Sequence, residues 1–222
     1  MTTLTAAPFA DLLDRLFTEA DLLQPATNLA IADLDGDDRD RLMRSKTEYL
    51  ALYARLKDAP LPVSRETGKL LYLLARSGRA RTIVEFGTSF GISTLHLAAA
   101  LRDNGGGRLI TTEFEPSKVA RARRNLAAGG VADLVEIRTG DALVTLRDDL
   151  PETIDLLLLD GAKALYGDIL DLLESRLRPG SIVVADNADY SPEYLARVRA
   201  AKGGYLSLPF GPDVEVSVRL GA

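Results

Sequence analysis

Apolar positions along the chain follow two different patterns. Over residues 1 to 60, FADLLDRLF and SKTEYLALYARLKDAP place them at helical spacing, with Ser45 expected as an N-cap and Glu48 three residues on. Pro60 and Pro62 close that stretch, and RETGKLLYLLARSG, from Ser64, predicts a further helix ending at Gly78. Short apolar runs follow: TIVEF (82 to 86), RLITTE (108 to 113), LVEIR (134 to 138), IDLLLLD (154 to 160) and SIVVAD (181 to 186). Helical stretches such as STLHLAAALRD, PSKVARARRNLAA and YGDILDLLESRL separate them. Strands alternating with helices predict an α/β fold, a mostly parallel sheet with right-handed crossovers and helices on both faces. After Asp186 comes the helix PEYLARVRA, then GYLSLPF and VEVSVRL joined by Gly211, Pro212 and Asp213, which reads as a terminal hairpin on the sheet. Residues 1 to 60 are therefore expected to be an N-terminal helical extension, and residues 61 to 222 the main domain.

Composition narrows the chemistry. A chain of 222 residues, 46% hydrophobic and 27% charged, suits one globular domain with a terminal extension, and it has no run of the roughly 18 apolar residues a membrane span needs. With 27 Lys plus Arg against 32 Asp plus Glu, the net charge of −5 lacks the basic excess that holds nucleic acid. The absence of Cys excludes disulfides and thiolate sites, and a lone His96 excludes multi-histidine metal sites, so a metal would be held by oxygen. The N-terminus carries acids where a signal peptide has Lys or Arg. A cytoplasmic protein is expected, with neither membrane nor nucleic acid as a partner.

Candidate chemistry gathers at the strand ends. Val84-Glu85-Phe86-Gly87-Thr88-Ser89-Phe90-Gly91 turns a buried strand into a helix, where ligands approach the carboxyl ends of parallel strands. The G-x-x-x-G spacing lacks a glycine of the dinucleotide fingerprint, and Glu85 would repel a phosphate but suits an ammonium group. A tight turn without a ligand is the alternative. Glu113 ends the second strand, 26 residues after Gly87, as an acid binding ribose hydroxyls would. Asp141, after the third, either helps read an adenine edge or only caps the next helix. Acids at three successive strand ends fit a nucleoside whose remaining charge is cationic, and S-adenosylmethionine fits that description.

Asp160 ends the next run, and Asp186 with Asn187 ends the one after it. Two carboxylates and an amide oxygen in one crevice match Mg²⁺, Mn²⁺ or Ca²⁺. Lys163 follows Asp160 by three residues, and a nearby dication with partial burial would lower its pKa toward that of a general base. The alternative is that both Asp residues cap helices and Lys163 is solvated.

The stretch from Ser64 to Leu220 resembles the cation-dependent class I O-methyltransferases, the group of catechol and caffeoyl-coenzyme-A O-methyltransferases, in VEFGTSFGIST, LDGAKALY and RPGSIVVADN. The resemblance implies a Rossmann-like sheet of seven strands with the last antiparallel. It also implies that Val63, Glu85, Gly87 and Ser93 contact the methionine part of S-adenosylmethionine, Glu113 the ribose, and Asp141 with Ala142 the adenine. Asp160, Asp186 and Asn187 would hold the cation, with Asp160 also beside the cofactor, and Lys163 would be the base. Ile92 replaces a common Tyr, Ala162 an acid or aromatic residue, and Ala188-Asp189-Tyr190 the usual apolar continuation. In this family the N-terminal region commonly covers the substrate or forms a dimer, so a homodimer is expected.

The expected reaction is methyl transfer from S-adenosylmethionine to one hydroxyl of a small aromatic vicinal diol, with Tyr49, Tyr53, Tyr166, Tyr190 and Phe210 as candidate acceptor-pocket residues. A metal-independent small-molecule methyltransferase and a non-catalytic nucleotide-binding module are the alternatives.

Overall fold

In the computed structural model, which describes residues 1–221, the chain begins with helices α1 (Phe9–Ala30), α2 (Gly36–Arg44), α3 (Tyr49–Arg55) and α4 (Arg65–Ser77). Strand β1 (Thr82–Phe86) leads through α5 (Ile92–Asp103) to β2 (Arg108–Glu113), and α6 (Pro116–Ala128) to β3 (Val135–Thr139). The short α7 (Ala142–Thr145) precedes β4 (Ile154–Leu159), and α8 (Tyr166–Leu173) precedes β5 (Leu177–Ala185). Then α9 (Pro192–Arg199) leads into the hairpin of β6 (Tyr205–Phe210) and β7 (Val214–Arg219).

One seven-stranded sheet results, in the order β3-β2-β1-β4-β5-β7-β6. β1 pairs in parallel with both β2 and β4, while β7 runs antiparallel between β5 and β6. The α/β architecture, the antiparallel last strand and the terminal hairpin are as the sequence predicts.

The central strands read as unbroken apolar runs because both faces are covered. Leu157, Leu158 and Leu159 of β4 are each fully buried, alternate residues packing into different cores. One core joins α1, α4 and α5 to the sheet, with Phe9, Leu12, Leu16 and Phe17 of α1 among its members. The other packs α8 and α9 on the opposite face, around Tyr166 and Tyr194. Each such side chain contributes roughly 1.5 to 3 kcal/mol by leaving water, enough to pin the strand ends where the polar groups sit.

The start of the third helix differs from the expectation at Ser45. Its hydroxyl does accept from Glu48 N at 3.0 Å, yet Ser45 is the C-cap of α2, and α3 starts at Tyr49 with Glu48 as its N-cap. The Ser45 side chain closes a turn between two helices. The sequence DGDDRDR opens α2 through an Asp35 cap that accepts from Asp38 N at 2.7 Å.

Candidate active site

The strand order reverses between β1 and β4, and there the carboxyl ends open into a cavity of about 410 Å³. Its floor is built from Gly87, Glu113, Asp160 and Asp186 at four strand ends. Its roof comes from the N-terminal helices, through Met43, Tyr49, Leu50, Tyr53 and Leu56. Tyr53 closes over the floor and donates its hydroxyl to Gly161 O at 3.3 Å.

Gly87 has φ +100°, a conformation that L side chains rarely adopt. A Cβ there would stand 2.5 Å from the Asp160 carbonyl oxygen, so the absence of a side chain lets the β1 turn press against the end of β4. Behind this turn Glu85 is wholly buried, accepting from Ser93 Oγ and Thr94 Oγ1, each at 2.6 Å. Burial pushes the Glu85 carboxyl up to about 7, against the opposing effect of those hydroxyl donors.

Glu113 is set for a ligand. Its two oxygens each accept a backbone amide, from Ser89 at 2.9 Å and Glu115 at 3.0 Å, which fixes the carboxylate at the cavity wall. Ser89 holds its own positive φ of 47° while its hydroxyl donates to Pro60 O, tying the glycine turn to the chain entering α4. Asp141 does cap α7, accepting from Leu143 N at 2.9 Å, and it also lines the cavity with Ala142. The capping and ligand-facing positions are compatible.

Asp160 and Asp186 follow the adjacent strands β4 and β5 into the same cavity, where the charge of one bears on the other. Burial, then the Asp160 charge, pushes the Asp186 carboxyl up to about 7. Lys163 begins the turn after β4 and donates to Asp160 Oδ1 at 2.8 Å, both groups being shielded from water. Burial acts to lower the Lys163 pKa, but the Asp160 charge, then Tyr166, Tyr53 and Asp186, hold it well above the ordinary lysine value. The lowered Lys163 pKa expected from the sequence is thus corrected: its acidic neighbours outweigh burial and raise it. Asn187 adopts φ 48°, and its amide nitrogen donates to Asp213 Oδ2 at 2.8 Å, which leaves the amide oxygen available.

This donor set fits a hard cation. Two like-charged, buried carboxylates are forced together, and an amide oxygen lies beside them, an arrangement that Mg²⁺, Mn²⁺ or Ca²⁺ relieves. Among the described residues no group of three or more His, Cys, Asp or Glu could hold a metal.

Gly87, Glu113, Asp141, Ala142, Asp160, Lys163, Asp186 and Asn187 thus share one cavity, while Val63, Glu85 and Ser93 are buried and do not line it. Of the aromatic candidates, Tyr49 and Tyr53 line it. Tyr166 is buried beneath, donating to Asp186 O at 2.6 Å; the Tyr190 ring lies under the Arg44 guanidinium, 5.6 Å away; Phe210 packs on the sheet core. Sequence reasoning missed Phe114 and Lys118, which no motif marks, and passed over Phe86 within the glycine-turn motif.

Residues 84–188 match the family described as "Methyltransferase domain". A catechol O-methyltransferase of Niastella koreensis is 37% identical over 167 residues, covering 71% of this chain and 70% of that protein. One from Mycobacterium tuberculosis is 35% identical over 158 residues, covering 70% of this chain and 71% of that protein. Among solved structures, the O-methyltransferase TomG from Streptomyces achromogenes, involved in tomaymycin synthesis and crystallised with SAM, superposes with a TM-score of 0.65 at 31% identity, covering 82% of this chain and 94% of TomG. The sheet order, the cavity at its switch point and these relatives define an enzyme of the class I methyltransferase fold. The chain belongs to the S-adenosylmethionine-dependent O-methyltransferases, the family that includes the catechol O-methyltransferases.

Proposed function

We propose that the enzyme transfers a methyl group from S-adenosylmethionine to one hydroxyl of a small vicinal dihydroxy aromatic, with a divalent cation in the site. The observation that carries this is the buried Asp160–Asp186 pair with the Lys163 amine 2.8 Å from Asp160, under a largely apolar roof. The names of the catechol O-methyltransferase relatives support the acceptor class.

On this reading Val63, Glu85, Gly87 and Ser93 shape the methionine end of the cofactor site, Glu113 accepts from the ribose hydroxyls, and Asp141 with Ala142 flanks the adenine. Asp160, Asp186 and Asn187 hold Mg²⁺ or a similar cation, with Asp160 also bordering the cofactor. The cation supplies positive charge that orients the diol and lowers the pKa of its hydroxyls and of the Lys163 ammonium. Lys163 in its neutral form takes the proton of one acceptor hydroxyl at Nζ. The oxygen then forms its bond to the methyl carbon as the carbon–sulfur bond breaks, leaving S-adenosylhomocysteine. Because an anion and a sulfonium neutralise each other, the protein acts mainly by positioning and by excluding water. The roof of α2 and α3, through Met43, Tyr49, Leu50, Tyr53 and Leu56, does the excluding and covers the acceptor, while α1 belongs to the sheet core.

The test is methylation of catechol-type compounds and their single-hydroxyl analogues, before and after dialysis against EDTA, with the product's regiochemistry read by NMR. Turnover should need both hydroxyls and the cation; undiminished methylation in excess EDTA would overturn the metal-dependent reading.

A further inference from the structure

Lys118 contradicts every local preference for a lysine. It stands in the first turn of α6, the helix end where the backbone dipole disfavours a positive charge. It is only 4% exposed, although lysine is almost never buried without a partner. Yet among the described residues no carboxylate lies within 4.0 Å of its ammonium, and no acceptor takes a hydrogen bond from it. Lys118 instead lines the cavity, next to Glu113. Glu113, Glu115, Asp160 and Asp58 surround it at longer range, and their charges oppose the lowering of its pKa by burial. Conflicts of this kind concentrate where a ligand completes the bonding.

The missing partner must be an acceptor, because an ammonium has three donors and no lone pair. Glu113 offers the opposite capacity, two oxygens that only accept, each already fixed by one backbone amide. A hydroxyl satisfies both neighbours at once: its hydrogen goes to the carboxylate, and its oxygen accepts from the ammonium. A sugar's vicinal diol presents two such groups side by side.

We propose that Lys118 is a cofactor-positioning residue that donates to a ribose hydroxyl oxygen of the nucleoside whose hydroxyl hydrogens Glu113 accepts. The inference rests on the reading that Glu113 serves the ribose. Lys118 and Glu113 together then make a donor–acceptor clamp, which tells a ribose from a deoxyribose by leaving a buried charged group unpaired when a hydroxyl is missing.

Calorimetric titration of the full chain with S-adenosylhomocysteine and with its 2′-deoxy and 3′-deoxy analogues tests the clamp, comparing wild type, Lys118→Met and Glu113→Gln. Lys118→Met should weaken S-adenosylhomocysteine binding about 10- to 30-fold. Against the analogue that lacks the Lys118 acceptor, that loss should shrink to about twofold or less, the signature of coupling between residue and hydroxyl. A purely structural lysine would give the same loss with all three ligands, and that result, or unchanged affinity in Lys118→Met, overturns the proposal. Lys118→Gln, which keeps a donor without the charge, carries the same comparison where the Met variant melts too low. If Glu113→Gln binds all three ligands as wild type does while the Lys118 coupling persists, the Glu113 assignment falls and the lysine's stands. Wild type binding all three equally removes both.

Discussion

Gly87 and Asp160 are packed so closely that one methyl group cannot be placed between them. The Asp160 amide donates to Phe86 O at 2.8 Å, and a Cβ on Gly87 would stand 2.5 Å from the Asp160 carbonyl oxygen. The β1 turn and the end of β4 that carries Asp160 therefore share one rigid contact.

Gly87→Ala should consequently damage both halves of the site. Strain at a φ of +100°, together with displacement of backbone, should cost about 2 to 4 kcal/mol. Chemical denaturation reads the stability, and titration with S-adenosylhomocysteine reads the binding. Wild-type values in both would mean that the turn can relax without moving Asp160.

On the proposed reading Asp186 serves the acceptor rather than the cofactor, so Asp186→Ala should abolish turnover while S-adenosylmethionine still binds. Calorimetry should show cofactor affinity within a few-fold of wild type while saturating Mg²⁺ fails to restore activity. Loss of cofactor binding would assign Asp186 to the cofactor site.

Lys163→Ala should lower kcat by roughly 10² to 10⁴, the range of a positioned acid–base group, and raised pH should recover part of the rate. Lys163→Arg should not rescue, since a guanidinium cannot give up its proton in this range. Rates for both variants from pH 7 to 10 separate a base from a fixed positive charge: an Arg variant near wild-type activity would make Lys163 an electrostatic helper.

Glu85 predicts an unusual pH dependence for the cofactor-free protein. Its native carboxyl titrates near 7 against an ordinary value of 4.5, so the folded state binds more protons than the unfolded chain between those values. Stability from this group is fully present below pH 4.5 and declines as pH rises to 7, by on the order of 3 kcal/mol. Asp186 shifts in the same direction, so the measurement is the difference between wild type and Glu85→Gln, both melted in EDTA from pH 4.5 to 7.5. The Gln variant should show the shallower decline; parallel curves would mean that Glu85 is ionised when folded.

The strands and their terminal acids were legible because a doubly covered strand must be apolar until it ends, so IDLLLLD announces both β4 and the carboxylate that follows it. The PSKVARARRNLAA pattern gave α6 its bounds, yet Lys118 stayed hidden. Among the bases of that segment, nothing in helical spacing says which one turns under the Glu113 wall, a choice made by how α6 seats on the sheet. Ser45 misled for a related reason, as a hydroxyl can satisfy Glu48 N from a turn as well as from a helix cap. The roof was legible in part: Tyr49 and Tyr53 were expected at the pocket and line it, whereas Met43, Leu50 and Leu56 were not, since their contacts with the strand ends lie far away in sequence.

Asn187 is held by the hairpin that follows it: Asp213 accepts from its amide nitrogen at 2.8 Å, and the Asp213 carbonyl accepts from Ala188 N at 2.8 Å. The orientation of this amide is thus set by the turn between β6 and β7, 26 residues further along the chain. A change at Asp213, which itself lies outside the cavity, would therefore reach the crevice through Asn187.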